Sequence, residues 1–516
     1  MNKAAGTVVA IVVVAGVAWA GASWYTGTRV EAEIVKSIDK ANAQMLAVAP
    51  EWKGKLSLAS FEKGVFSSNA RYRLTFPDMT PPAAGTPAPE ASAAPGTPAA
   101  PGAAGTPAAP GAAPVMQEVI IADHIEHGPF PLSRIAAGGL TPVMATSNFT
   151  LERTPSVEQW FAHTNGAAPL SGQASLAYGG AVDGNLKVAP VAYDEGPNGV
   201  NFSGLVLNFD VNADRTVSKV DGDFDTLSFK TLNAEGEPTT FEAKTVVLNS
   251  DMRGMFIGQN EVTAKSLTVT IPNSKVEIAD YAQRMDLKES DNKVSGTVGY
   301  DVGQVRVNGA DLASGQFVLR VKDLDAAAIQ RMSDLYRESA LRAAQTGSQE
   351  GAEATPEEQK AFMDAVMQSL AGNPTLEIDP FLVKTAKGEG RFTLKLDLKK
   401  PVDPAMTMDA IAAQMVNQMD ARLVVSKPMI ADLLAFQAVS AGAPADAARA
   451  QAEQQSEMIG MMGQQMGAAK VDGQNIVATL SYSKGQIDFN GKKMPVEEFA
   501  GALLSMVLGG GMSMRP

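Results

Sequence analysis

The chain of 516 residues contains no cysteine, which removes thiol nucleophiles, cysteine-ligated zinc, disulfide frames and an amino-terminal lipidated cysteine together. Its stability must come from packing. Only three histidines are present, so a histidine-rich catalytic or metal centre has little to be built from. Aromatic residues make up 6% of the chain, and 43 basic residues face 56 acidic ones, for a formal charge of −13. That balance argues against nucleic acid as a partner, because binding a phosphate backbone needs clustered Lys and Arg to displace counterions. Long hydrophobic runs are equally scarce, and the single one is Ala4–Ser23.

This run carries no charge and is close to the ~20 residues that a helix needs to cross about 30 Å of hydrocarbon. Lys3 and the amino terminus lie on its short side, which the positive-inside rule keeps in the cytoplasm. Trp24 and Tyr25 lie where an aromatic belt meets the opposite interface. The expected topology is one crossing, with the body outside the cytoplasm. The alternative is a cleaved secretory signal, for which Ala18-Trp19-Ala20 and Ala20-Gly21-Ala22 offer small-residue sites. Either way the body is exported.

The sharpest change in composition runs from residue 80 to residue 114, where GTPAAPGAA-like units recur with almost nothing to bury. This reads as a solvated insert, partly extended, rather than a domain. It separates residues 26–79, the first part of a β region, from its main part over 115–403; residues 1–25 are the anchor. Strand-like alternation begins with Lys55–Glu62 and Asn69–Phe76 and resumes with Met116–Ile125 and Val143–Leu151. It continues as far as Gly315–Leu324, with Leu267, Val269 and Ile271 against Thr268 and Thr270. Phe392, Leu394, Leu396 and Leu398 alternate with Thr393, Lys395 and Asp397 in the same way. Asp183-Gly184, Asn198-Gly199, Asp221-Gly222 and Asn308-Gly309 supply turn chemistry, so long antiparallel meanders are expected.

Helical signals lie near 323–372, where Thr355-Pro356-Glu357-Glu358 reads as a capping box with proline at its first position. Residues 404–516 read as a helical region with Ser426 as an N-cap, a helix from about Ala443 to Met466, a β-hairpin over Ile476–Phe489 and a short apolar helix, Val496–Leu508. The fold class is therefore α+β and β-dominated: a single transmembrane helix, an extended antiparallel sheet, carboxy-terminal helices and a terminal hairpin.

No catalytic constellation stands out. Asp123, His124, Glu126 and His127 are neighbours, yet on a strand His124 and Glu126 share a side while His127 points away, a poor geometry for one metal. No phosphate loop, nucleophile elbow or His-Glu-x-x-His is found, and no cofactor is implied. The cluster Met458, Ile459, Met461, Met462 and Met466 is assigned to a core gap, with a lipid or partner helix as the alternative.

Several motifs are familiar as a set: Ser23-Trp24-Tyr25-Thr26-Gly27, Gly64-Val65-Phe66-Ser67-Ser68, Ile125-Glu126-His127-Gly128-Pro129-Phe130-Pro131-Leu132, and Asp472 through Asn490-Gly491-Lys492. Together they resemble the YdgA-like family of uncharacterised, inner-membrane-anchored bacterial proteins. The resemblance spans nearly the whole chain except the Pro/Ala/Gly insert. It implies single-pass anchoring in the bacterial inner membrane with the body in the periplasm, and it marks Gly27, Gly64, His127, Gly128, Pro129, Asn490 and Gly491 as family-like positions without a role. The expectation is a non-enzymatic envelope protein that binds or scaffolds, with a lipid or an envelope protein as partner. The competing expectation is a periplasmic hydrolase using paired carboxylates, since acidic residues are abundant and nothing singles out one pair.

Overall fold

Period-two alternation over long stretches, punctuated by Gly- and Asn-containing turns, makes most of this chain strand. A computed structural model of the protein describes residues 54–77, 116–346, 355–401 and 414–499 apart from short gaps at 65, 165, 215–216, 234–235, 255 and 497, together with residues 38, 39, 41, 42 and 45. The apolar run Ala4–Ser23, the insert at 80–114 and most of Val496–Leu508 lie outside the described residues. Among the described residues, no helix is long and apolar enough to cross a membrane.

One antiparallel sheet of 22 strands holds the described chain together. Its first part comprises β1 (Lys55–Lys63), β2 (Ser67–Pro77), β3 (Met116–His127), β4 (Ala145–Glu152), β5 (Leu170–Leu176) and β6 (Val182–Val188), each paired with the next. The hairpin β7 (Val191–Glu195) and β8 (Asn198–Phe202) folds aside, so that β6 pairs with β9 (Leu205–Val211). β10 (Val217–Leu232) takes β9 against its first half and β8 against its second. The meander then continues strictly in chain order through β11 (Pro238–Arg253), β12 (Ile257–Ile271), β13 (Ser274–Ser290), β14 (Lys293–Val307), β15 (Ala310–Asp325), β16 (Thr375–Lys384), β17 (Glu389–Leu398) and β18 (Val416–Ser426). Beyond β18 lie β19 (Lys470–Asp472), β20 (Asn475–Ser483), β21 (Gln486–Phe489) and β22 (Lys492–Pro495), with β20 paired to β18.

The enclosed core belongs to the first part. Leu56, Leu74, Val119, Ile121, Ile125, Phe149, Leu170 and Leu186 are buried together with Ile38, Ala41 and Met45 of the preceding segment. Asn42 closes the outer edge of β1: its Nδ2 donates to the Leu56 carbonyl at 2.9 Å and its Oδ1 accepts from the Leu56 N–H at 2.7 Å. A side-chain amide thus takes the place of a further strand. Beyond β9 the strands pack chiefly against their own neighbours in the sheet, and most of their side chains are half-buried or exposed.

Two short helices and two helix pairs flank the sheet besides two single-turn elements. α1 (Leu132–Ala136) and α2 (Glu158–His163) lie in the β3–β4 and β4–β5 connections. α3 (Ala326–Thr346) packs on α4 (Pro356–Ser369), which opens with the expected capping box between Thr355 and Glu358. α5 (Lys427–Ser440) starts at its N-cap Ser426 and packs on α6 (Ala445–Gln465). One expectation fails here. The buried side of α6 is Ala448, Ala452, Ser456 and Gly460, whereas Met458, Ile459, Met461, Met462 and Met466 are exposed. Small residues let α6 approach α5 closely, with an added β-carbon at Gly460 lying only 3.5 Å from Lys427 and Ile476, so the methionines are turned outward.

The contrast between the enclosed core and the open strands is measurable. Leu74→Ala should lower the unfolding free energy by about 2–5 kcal/mol, whereas Val269→Ala on an open strand should cost less than about 1 kcal/mol in urea melts.

Candidate functional site

Directly opposed residues in an antiparallel sheet share a side, so the register determines what each face presents. One row runs through Met252, Leu287, Val321, Leu376, Leu396, Met419, Tyr482, Ile487 and Met494, with Gly258 and Gly296 between them. The next row on the same side joins Met285, Val298, Leu319, Ile378, Leu394, Ala421, Leu480 and Phe489. A third carries Tyr300, Phe317, Phe381, Phe392 and Leu423, whose neighbouring rings stand 6.2 and 6.3 Å apart at Tyr300–Phe317 and Phe317–Phe381. Toward the amino terminus these rows pass through Val220, Phe209, Val211, Val182, Leu186, Leu176, Ile125 and Ile121 into the enclosed core. One largely apolar face therefore extends across the sheet, interrupted in β10–β13 by Ser218, Ser250, Asn260 and Gln283.

The opposite face reads Lys219, Asp251, Gln259, Asp286, Thr297, Arg320, Glu377, Lys395, Asp420, Ser481, Asp488 and Lys493 in one row. Cross-strand ion pairs lace it, among them Arg284–Glu261 at 2.8 Å, Arg284–Asp301 at 2.7 Å and Arg320–Glu377 at 3.2 Å. Exposed pairs of this kind stabilise little, at most about 1 kcal/mol each. Their effect is to keep that side wet.

The two-faced pattern meets an obstacle in the long strands. Strict alternation would put Phe224 and Leu227 of β10 on opposite sides, yet the Phe202 ring, directly opposed to Leu227, lies 5.7 Å from the Phe224 ring. A crease reconciles them. The ladder is interrupted in step along Asp225, Thr245, Lys265, Asp280 and Gly303, with φ of 46° at Thr245 and 52° at Asp280. Along this line the alternation changes phase, so Leu227, Phe229, Phe241, Val269 and Val276 rejoin the apolar side. An ion pair between Lys265 and Asp280, at 2.5 Å, spans the interruption.

Where the apolar face is enclosed it holds a small polar network. Asp123 is 2% exposed; its carboxylate accepts from the Ser147 hydroxyl at 2.6 Å and from the Tyr72 phenol at 3.3 Å. Burial, followed by the charge of Asp123 and the hydrogen bond to it, holds the Tyr72 phenol well above its ordinary range. Nearby, the Ser68 hydroxyl lies 3.1 Å from His127 Nε2.

The family-like positions fall at two places. Gly64, His127, Gly128 and Pro129 converge at one corner: the His127 N–H donates to the Phe66 carbonyl at 2.9 Å, and the Gly128 N–H to the Met144 carbonyl at 2.7 Å. A β-carbon at Gly128 would lie 1.9 Å from the Val143 carbonyl oxygen, so no other residue fits there without moving the β4 lead-in. Asn490 and Gly491 form the β21–β22 turn at the far end, where Asn490 takes φ of 55°, accepts from the Thr479 N–H at 2.9 Å and donates to the Gly467 carbonyl at 3.1 Å. It ties the end of α6 to the sheet. Lys3, Trp24, Tyr25 and Gly27 lie outside the described residues. His124 faces Asn69 at 2.8 Å while Glu126 accepts from Ser133, so the three acidic and imidazole neighbours of His127 serve separate contacts. Among the described residues, no group of His, Asp and Glu is arranged to hold a metal ion.

Fold and faces together define a single-sheet protein with one apolar and one charged side. The family model described as "Bacterial protein of unknown function (DUF945)" matches residues 1–497, and the chain belongs to this family. It is similar to Protein YdgA of Escherichia coli (strain K12), 26% identical over 97% of this chain and 96% of the relative. It is also similar to the uncharacterized protein YihF of the same organism, 23% identical over 96% of this chain and 98% of the relative. An uncharacterized protein of Haemophilus influenzae matches 40% of the chain at 22% identity. No solved structure matches.

The Tyr72 environment makes a pH prediction. Its phenol stays protonated in the folded chain above pH ~10, where the unfolded chain ionises, so its contribution is complete below about pH 10 and is lost as pH rises further. Tyr72→Phe should flatten the fall in unfolding free energy above about pH 10, read by urea melts on either side of that pH.

Proposed function

We propose that this chain is a non-enzymatic, inner-membrane-anchored protein of the bacterial periplasm whose open apolar face binds the acyl chains of envelope lipids. The observation that carries the proposal is the largely apolar side of the sheet, whose Leu, Val, Phe and Met side chains are mostly half-exposed over β10–β18, with helices meeting the sheet at β15, β17 and β18. Fully burying one Val, Leu or Phe side chain is worth about 1.5–3 kcal/mol, so rows of half-exposed Leu, Val, Phe and Met present a large unmet driving force for an apolar ligand. Acyl chains suit such a surface because they are flexible, need no hydrogen bonds and can lie along a row of any length. The opposite, charged side keeps the protein soluble while the apolar side is occupied.

The envelope setting rests on the sequence: the uncharged run Ala4–Ser23, Lys3 before it and Trp24-Tyr25 after it. Belonging to a family of bacterial proteins agrees with it. Thiol-free composition suits a body that matures in an oxidising compartment without disulfides.

Purification of residues 28–516, which retain every described element, followed by mass spectrometry of extracted lipids tests this directly. Phospholipid should accompany the protein, and the double change Val298→Asp with Leu394→Asp should reduce it several-fold. Thr297→Asp with Thr393→Asp, one residue away on the charged side, should leave it unchanged. Absence of bound lipid, or equal loss in both variants, removes the acyl-binding role. Hydrolytic turnover abolished by changing one Asp or Glu would replace it with the enzyme reading.

A further inference from the structure

The corner where Gly64 meets His127-Gly128-Pro129 has a surface that the acyl-binding role does not use. The β1–β2 turn and the β3–β4 connection lie at the same edge of the sheet and expose Phe66, Phe130, Leu132, Ile135 and Leu140, with Phe66 at 85% and Leu132 at 78% of full exposure. Tyr178, in the adjacent β5–β6 turn, is exposed as well. Connections in water ordinarily show polar side chains outward and tuck apolar ones in.

Here the arrangement is inverted. Over residues 128–144 the single charged residue is Arg134, and its guanidinium is turned inward to Asp183 at 2.7 Å and to the Thr141 hydroxyl at 3.1 Å. Ser133 gives both its N–H and its hydroxyl to Glu126, at 2.9 and 3.0 Å, and the Ser133 hydroxyl also accepts from Asn148. Backbone polar groups are paired too, the Val143 N–H with the Pro129 carbonyl at 3.0 Å and the Gly139 N–H with the Arg134 carbonyl at 2.9 Å. Apart from Arg134 Nε, which is buried without a hydrogen-bond partner, these polar groups are paired within the corner, and the large apolar side chains are exposed.

We propose that this corner is a membrane-docking tip, which seats Phe66, Phe130, Leu132, Ile135 and Leu140 in the lipid interface beside the amino-terminal helix. A lipid surface is the occupant that the remaining chain indicates. Ile38, Ala41 and Met45 are buried in the same core as β1–β6, so only 14 residues, 24–37, separate the uncharged run Ala4–Ser23 from the part of the sheet that carries the tip. Even extended, 14 residues reach about 50 Å, which keeps this end of the sheet close to any bilayer the run occupies. Protruding Phe and Leu side chains match an interface with no fixed hydrogen-bonding pattern. The opposite edge of the same strands is polar by comparison, with Thr154, Ser156, Glu158 and Gln159 in the β4–β5 connection. Docking at two points would fix how the sheet stands on the membrane. The tip does not depend on acyl chains binding the sheet.

The absence of cysteine makes the test direct, since one introduced thiol labels one site. The full-length chain is reconstituted into vesicles of phosphatidylethanolamine and phosphatidylglycerol with a polarity-sensitive dye at Leu132→Cys, Leu140→Cys, Gln159→Cys or Val14→Cys. Labels at 132 and 140 should shift to shorter emission wavelength, lose quenching by iodide and gain quenching by doxyl-labelled lipid, whereas the label at 159 should remain aqueous. A Leu132 label open to iodide overturns the tip whatever the Val14 label reports, and Val14 separately tells whether the helix has entered lipid. A Leu132 label shielded from both quenchers also overturns it, because protein rather than lipid would then cover the corner.

Discussion

Everything distinctive in this protein depends on keeping side-chain alternation in phase across many strands. A sheet buries one face only if each new strand places its apolar residues opposite those of the last, and a slip of one residue would scatter them over both sides. The register here satisfies that demand from Leu74 opposite Val119 in the enclosed core to Ile487 opposite Met494 in the last hairpin. The long strands would violate it on their own. The crease through Thr245 and Asp280 is the local strain that preserves the pattern, since non-glycine residues take positive φ only where surrounding structure imposes it.

Much of this was legible in the residues. The alternation of Leu267, Val269 and Ile271 with threonines, the capping box at Thr355 and Glu358, the N-cap Ser426 and the closing hairpin all appear where their local chemistry places them. Those signals are local, and local signals survive folding. Val416–Ser426 was harder to read, because its own alternation of Met419, Ala421, Leu423 and Val425 follows an Ala- and Met-rich stretch of helical composition. The largely apolar face could not be seen at all from one strand at a time, since it exists only through pairing. The crease likewise leaves no mark: Thr245 and Asp280 are ordinary strand and surface residue types, and their backbone angles are a property of the assembled sheet.

The α6 methionines teach a related lesson. Apolar composition argued for a core position, but helix packing is governed by which side permits close approach, and the stripe Ala448, Ala452, Ser456 and Gly460 offers a closer one than methionine can. The larger apolar side chains were left outside. The family-like motifs divide in the same way between structural and open roles. Gly128 and Asn490 are explained by space and by backbone pairing, whereas Phe130 and Leu132, one and three residues beyond the proline, are large apolar side chains left mostly exposed.

The order of the strands has a further implication. Apart from the β7–β8 detour and the short β19, which pairs with β20 while β20 pairs with β18, each strand joins the one just before it in the chain, and no pairing connects β1 with β22 among the described residues. A sheet without closure can zip up progressively, adding one hairpin at a time to an early nucleus formed by β1–β6, and sequence-local pairing of this kind lowers the entropic barrier that slows most β proteins. Its length is then a matter of how many hairpins the gene encodes, so that lineages could lengthen or shorten the surface by whole repeats of growth without redesigning the part already built.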